Sequence, residues 1–282
     1  MAAETGAPPA ELVISGWAVS SPYGLGRAAF AGGLASGRRA IAPLDGADWP
    51  VPYEEAGLIP GFDIKAVLGR KGTRSMDRVT GIAATTVGML LEEYGTGLAA
   101  DPESTGLVLG TSGSVQSIMD FTRDALTGDK PYLVDPARFP NTVMNCPTGQ
   151  SAIRHTLKGP NVTVSGGAAT ALLSLQYASR LLRGGHGRAL LAGAAEEFSV
   201  QRARLERVAD HGAPHRSRSA RAPRCSCFRT RRTPRSPAAR SSPPSSAPAS
   251  APSRTPRGPV RHWSAASPTC WPPRVPPRTT WS

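Results

Sequence analysis

The chain has 282 residues, with 33 Lys+Arg against 20 Asp+Glu and 28 Pro. The positive excess sits in one place: His211 to Ser282 holds 14 Arg, 15 Pro and 13 Ser, and no Lys, Asp, Glu, Leu, Ile or Met. Residues 1–210 keep 19 basic against 20 acidic groups, so the overall charge of +13 says nothing about them.

About 210 residues can enclose one sizeable core. A stretch without Leu or Ile cannot bury enough apolar surface to offset its ordering entropy, so 211–282 is expected to be a disordered basic tail. No apolar run reaches the ~18 residues that cross a bilayer. Met1 to Pro9 carries Glu4 and no basic residue, unlike a secretory leader, and 1–10 reads as a flexible N-terminus. Cys225, Cys227 and Cys270 all fall in the tail, which leaves no disulfide framework and points to a cytoplasmic setting.

In chain order, Glu11–Val19 is short and β-branched and predicts a strand. Ser75–Tyr94 has apolar residues at helical spacing, with Ser75 as N-cap and Gly95 as the stop. Thr105–Gly110 is an apolar run long enough only for a buried strand. Val115–Leu126 and Thr148–Leu157 read as helices, and Asn161–Ser165 as a strand. Ala168–Arg183 reads as a helix apolar on most faces, which implies burial all round. Ala189–Gly193 is a further buried strand. Helices alternating with continuously apolar strands predict a layered α/β fold with both sheet faces covered.

The segment Gly159–Ala171 (GPNVTVSGGAATA) carries the chemical information. A strand runs through small residues straight into a helix, the geometry that presents a nucleophile on a sharp turn beside N–H donors and a positive dipole end. A plain strand–helix turn has the same pattern. The segment resembles the nucleophile turn of the β-ketoacyl synthases, which have the thiolase fold. Registered on Gly159, Pro160 and Val164, the family's nucleophilic Cys falls on Ala168.

Other segments resemble the family in the same order. They are Val13–Gly26, Gly72 with Met76–Asp77–Arg78, Gly106–Ser114, Phe139–Gln150 and His186–Glu197. The resemblance implies a thiolase-like α-β-α layered domain over 11–205, forming an N-terminal half. It also implies decarboxylative condensation of acyl chains, with a Cys taking the acyl group and two His from the second half stabilising charge.

Ala168 has no thiol and cannot form a thioester. No catalytic, cofactor-binding or metal-ligating residue is therefore assigned. Cys146, in Met-Asn-Cys-Pro, lies outside the turn and reads as a buried inert thiol. His155 and His186 read as structural or surface residues. Cys-less relatives that resemble this pattern are the chain-length factors, which pair with an active ketosynthase subunit. The implied partners are an acyl carrier protein bearing acyl or malonyl chains, and a ketosynthase subunit or a second copy. The rival enzyme reading is an active ketosynthase with a different nucleophile.

The tail admits three readings. Fourteen Arg suggest nucleic-acid binding through phosphate neutralisation, although Lys is absent and aromatic residues are few. His211 and His215 with Cys225 and Cys227 suggest zinc, but Cys-x-Cys departs from the usual spacing. The third reading is a frame change between about Leu205 and Pro214. Read from the third base of His215, the codons to Phe228 give Gly-x-Gly-Ala-Ala-Val-Leu-Val-Leu, with x a Glu if Arg221 is AGG. That run resembles what the family has shortly after its Gly-x-x-Glu strand.

Overall fold

A computed structural model of the chain describes residues 11–97, 101–127, 130, 132–209 and 225–232. All of these lie in the first of the two units, 1–237 and 238–282, into which the chain divides. Residues 1–10, the part of the frame-change zone from 210 to 214, His211, His215 and most of the tail lie outside the described residues.

The elements are β1 (Leu12–Ser21), β2 (Gly24–Leu25), α1 (Gly26–Ala35), β3 (Ala42–Pro43), β4 (Glu55–Ala56), α2 (Ile64–Leu68) and α3 (Arg78–Tyr94). There follow β5 (Thr105–Gly110), α4 (Val115–Thr127), α5 (Cys146–Arg154), β6 (Asn161–Val164), α6 (Thr170–Arg183), β7 (Ala189–Ala194), α7 (Val200–Ala209) and β8 (Cys225–Arg232). The main sheet has the order β2-β1-β8-β7-β5-β6. Strand β5 pairs parallel with both β6 and β7, whereas β8 pairs antiparallel with both β1 and β7.

Alternation along the central strands creates two cores. Leu107, Leu109 and Leu191 point to one face, where α3 supplies Val79, Ile82, Val87 and Leu90. Val108, Leu190 and Ala192 point to the other, where α6 supplies Ala178 and Leu182. Every residue of β5 and β7 is buried, as a sheet covered on both faces requires. This is the layered α-β-α arrangement expected.

Three expectations are corrected. Helix α3 starts at Arg78, not at Ser75, because Asp77 is the N-cap and accepts from Thr80 N at 2.9 Å. Helix α5 starts two residues early, at Cys146, where Pro147 suits the first turn.

Helix α6 is not buried all round: Thr170, Ser174, Ala178 and Leu182 form its one buried stripe, and Leu172, Leu173 and Tyr177 are exposed. Within the tail, Cys225–Arg232 pairs as a strand between β1 and β7. The short elements α1, β2, β3, β4 and α2, and the helix α7, were not expected.

Candidate functional site

The parallel strands β5, β6 and β7 end together at Gly110, Val164 and Ala194. Thr111 N donates to Val164 O and Ala195 N to Gly110 O, both at 2.9 Å. From Val164 the chain turns through Ser165, Gly166 and Gly167 into a single 3-10 turn, Gly167–Ala169, and then α6.

The turn needs small residues. Gly167 has φ +58°, a left-handed conformation that favours glycine. A Cβ at Gly166 would lie 2.2 Å from Leu173 Cδ1, and one at Gly110 would lie 2.4 Å from Thr170 Cγ2. Thr170 locks the turn, accepting from Gly166 N at 2.9 Å and donating to Gly167 O at 2.8 Å. Ala168 is exposed at the entrance to α6, where the helix dipole would favour an anion. The side chain exposed at this turn is a methyl group.

Neither histidine is brought to this turn by a hydrogen bond. His155 caps α5, and its Nε2 bonds the Ala84 carbonyl of α3 at 2.9 Å. Burial lowers its proton affinity, so the neutral ring acts as a donor tying α5 to α3. His186 is exposed in the link before β7. Cys146 is 7% exposed, its Sγ donating to Asn141 Oδ1 at 3.3 Å. Burial, helped by the charge of Asp77, pushes its thiol up. A raised thiol is a poor nucleophile at neutral pH. No group of three His, Cys, Asp or Glu suited to a metal occurs among the described residues.

The sequence reading missed the groups that hold this end of the sheet together. Glu196 accepts from Ser112 N at 2.9 Å and from Arg202 Nη1 at 2.7 Å. Glu197, only 4% exposed, accepts from Ser114 Oγ at 2.7 Å and Val79 N at 3.2 Å. It thereby joins the loop after β7 to the starts of α3 and α4. Helix α4 buries no residue and is fastened by polar contacts, among them Ser117 Oγ to Asp77 at 3.2 Å and Gln201 Nε2 to Asp120 at 3.2 Å. The available signal was two consecutive Glu directly after a wholly apolar strand.

Burial, reinforced by the charge of Asp77, raises the Glu197 carboxyl to about 7. In the unfolded chain it ionises in the ordinary carboxylate range, so between that range and about 7 folding takes up a proton. The stability associated with this group is fully present at low pH and is lost as pH rises through about 7. Glu197→Gln cannot ionise. It is expected to match the parent near pH 4 and to exceed it by roughly 3 kcal/mol at pH 8. Urea melts at the two pH values check this; equal midpoints at pH 8 would contradict the assignment.

The comparisons agree with this geometry. The family model described as "Beta-ketoacyl synthase, N-terminal domain" matches residues 10–222. The chain belongs to the β-ketoacyl synthase family and carries the fold of its N-terminal domain. It is 29% identical over 195 residues to 3-oxoacyl-[acyl-carrier-protein] synthase 2 of Vibrio cholerae, covering 67% of this chain and 46% of that protein. It is 27% identical over 215 residues to the putative polyketide beta-ketoacyl synthase 2 of Streptomyces halstedii, covering 75% and 51%.

Among solved structures, the ishigamide ketosynthase/chain length factor superposes with a TM-score of 0.72 at 39% identity, covering 81% of this chain and 63% of that one. The AntDE:AntF complex, described as a type II acyl carrier protein with its ketosynthase, shares the fold with a TM-score of 0.64 at 14% identity. The chain spans about half the length of the curated relatives named here. No described helix is long and apolar enough to cross a membrane.

Proposed function

We propose that this chain is a ketosynthase-like subunit of fatty acid or polyketide biosynthesis, of the chain-length-factor type, and that it does not itself catalyse condensation. The observation that carries the reading is Ala168: a turn built to present a nucleophile ends in a residue that cannot form a thioester. The likeness to a ketosynthase/chain length factor structure at 39% identity supports the assignment.

The proposed partners are an acyl carrier protein bearing acyl or malonyl chains and a ketosynthase subunit, working in the cytoplasm. Exposed apolar surface supports pairing. Leu172, Leu173 and Tyr177 face outward on α6, and Ile118, Met119 and Leu126 do so on α4. Exposed large apolar side chains of this kind support a protein contact.

The test is incubation with radiolabelled acyl carrier protein followed by intact-mass analysis. No acyl adduct and no condensation product are expected. An acyl group on Cys146 would revive the active-ketosynthase reading.

A further inference from the structure

We propose that the cleft between α2, α3 and the end of α5 is a binding site for a small molecule with one carboxylate and a compact apolar body. The site lies on the sheet face covered by α3, whereas the Ala168 turn leads into α6 on the other face. It is independent of the acyl chemistry proposed above, so either can fail without the other.

One stripe of α3 makes the floor. Gly81, Thr85, Gly88, Met89 and Glu92 recur at helical spacing and share a face. The two glycines let neighbouring elements close on that face. A Cβ at Gly81 would stand 2.6 Å from Ile64 Cγ1 of α2, and one at Gly88 would stand 3.1 Å from His155 Cε1, just past α5. Beside these contacts a cleft of about 340 Å³ remains, within the range of small-molecule sites. Its apolar walls are Leu25, Val67, Leu68 and Met89.

Two polar groups in the cleft lack a partner that such groups normally have. Thr85, which lines it, is only 3% exposed. Helical threonines often return the hydroxyl to the carbonyl four residues back, as Thr86 does to Ile82 O at 2.9 Å. Thr85 Oγ1 has no hydrogen-bond partner. A buried hydroxyl left in this way is uncommon in folded proteins, and a bound acceptor would satisfy it.

Arg154 is the second group. Half-buried, it donates from Nη1 to Lys71 O at 3.2 Å and from Nη2 to Leu68 O, which fixes its guanidinium at the end of α2. No carboxylate pairs with it among the described residues.

A fixed, unneutralised guanidinium beside apolar walls selects an anion, and its remaining N–H groups suit a planar carboxylate. Glu92 also lines the cleft but is exposed, so water serves its charge. His155 is kept neutral by burial, with Nε2 held on Ala84 O, and adds no competing charge. A carboxylate accepting from Arg154 and Thr85, with its apolar body against Leu25, Val67 and Met89, meets both needs.

Benzoate is the probe, with benzyl alcohol and benzylammonium as its neutral and cationic counterparts. Titration of the full chain, followed by saturation-transfer NMR, is expected to show saturable benzoate binding about tenfold tighter than either counterpart. Thr85→Val keeps the side-chain shape and removes only the unpartnered hydroxyl. It is expected to melt at or above the parent while binding benzoate about fivefold more weakly. Val67→Trp, at a position 41% exposed, is expected to fill the cleft and abolish binding with the fold retained. Absent benzoate binding, binding no tighter than that of benzyl alcohol, or binding unchanged in either variant overturns the site.

Discussion

A chain ended at residue 210 is expected to lose cooperative unfolding. The cut removes β8, which is registered with β1 at eight positions and with β7 at six. The strands β1 and β7 would then present unpaired N–H and C=O groups beneath α3 and α6, where water cannot easily satisfy them. Each lost bond is worth about 0.5–1.5 kcal/mol net, and more where a group stays buried and unpaired. Summed over the ladder, the loss rivals the roughly 5–15 kcal/mol that separates a folded domain from its unfolded chain.

Strand β8 supplies those backbone bonds, so its deletion removes a central strand of the sheet. Thermal melts by circular dichroism and size-exclusion chromatography on residues 1–210 provide the check. Aggregates without a sigmoidal transition are the expected result; a monodisperse monomer melting cooperatively would show that β8 is dispensable.

Gly106→Val is expected to prevent folding outright. Gly106 lies in β5, and a Cβ there would stand 2.3 Å from the Pro160 carbonyl oxygen, 2.8 Å from Pro160 N and 2.7 Å from Leu190 Cδ2. Two of these are backbone atoms that no rotamer change can move. The Pro160 carbonyl also accepts from Leu107 N at 2.8 Å, the bond that starts the β5–β6 pairing. Relief would mean parting β5 from β6, the strand that delivers the Ala168 turn. The expected loss exceeds ~4 kcal/mol, in the range reserved for severe core disruption. Gly149→Ala is the control, since a Cβ at that position meets nothing within 4 Å. The soluble fraction and melting midpoint of the two variants decide; a soluble Gly106→Val chain with the parent's midpoint would refute the close approach.

The α/β class, the strands β1, β5, β6 and β7 and the Ala168 turn were legible because each is written in contiguous residues. Thr105–Gly110 and Ala189–Gly193 admit no polar face, and Ser165–Ala169 contains only small side chains where the chain must turn sharply. The two helix starts were misplaced because local signals compete: Ser75 and Asp77 both cap well, and what selects Asp77 is its bond to Thr80 N with Ser117 Oγ closing on its other oxygen.

Burial was legible only in part. The composition of α6 marked it as apolar, but which of its faces meets the sheet depends on β5 and β7. Thr170, Ser174 and Ala178 are therefore inside, while Leu172 and Leu173 are outside.

Strand β8 and the Glu197 junction belong wholly to tertiary structure. Within Cys225–Arg232 only Phe228 and Thr230 lean toward a strand; its partners lie more than 200 residues away on β1 and more than 30 away on β7. Glu197 is an ordinary carboxylate in the sequence. It becomes a raised, buried one only because the loop after β7 carries it beneath Val79 and Ser114. The residues alone therefore determined the class of fold and placed Ala168 at its turn. Which groups share the end of the sheet, and what fills its centre, was decided by pairings distant in the chain, whose energies no local pattern records.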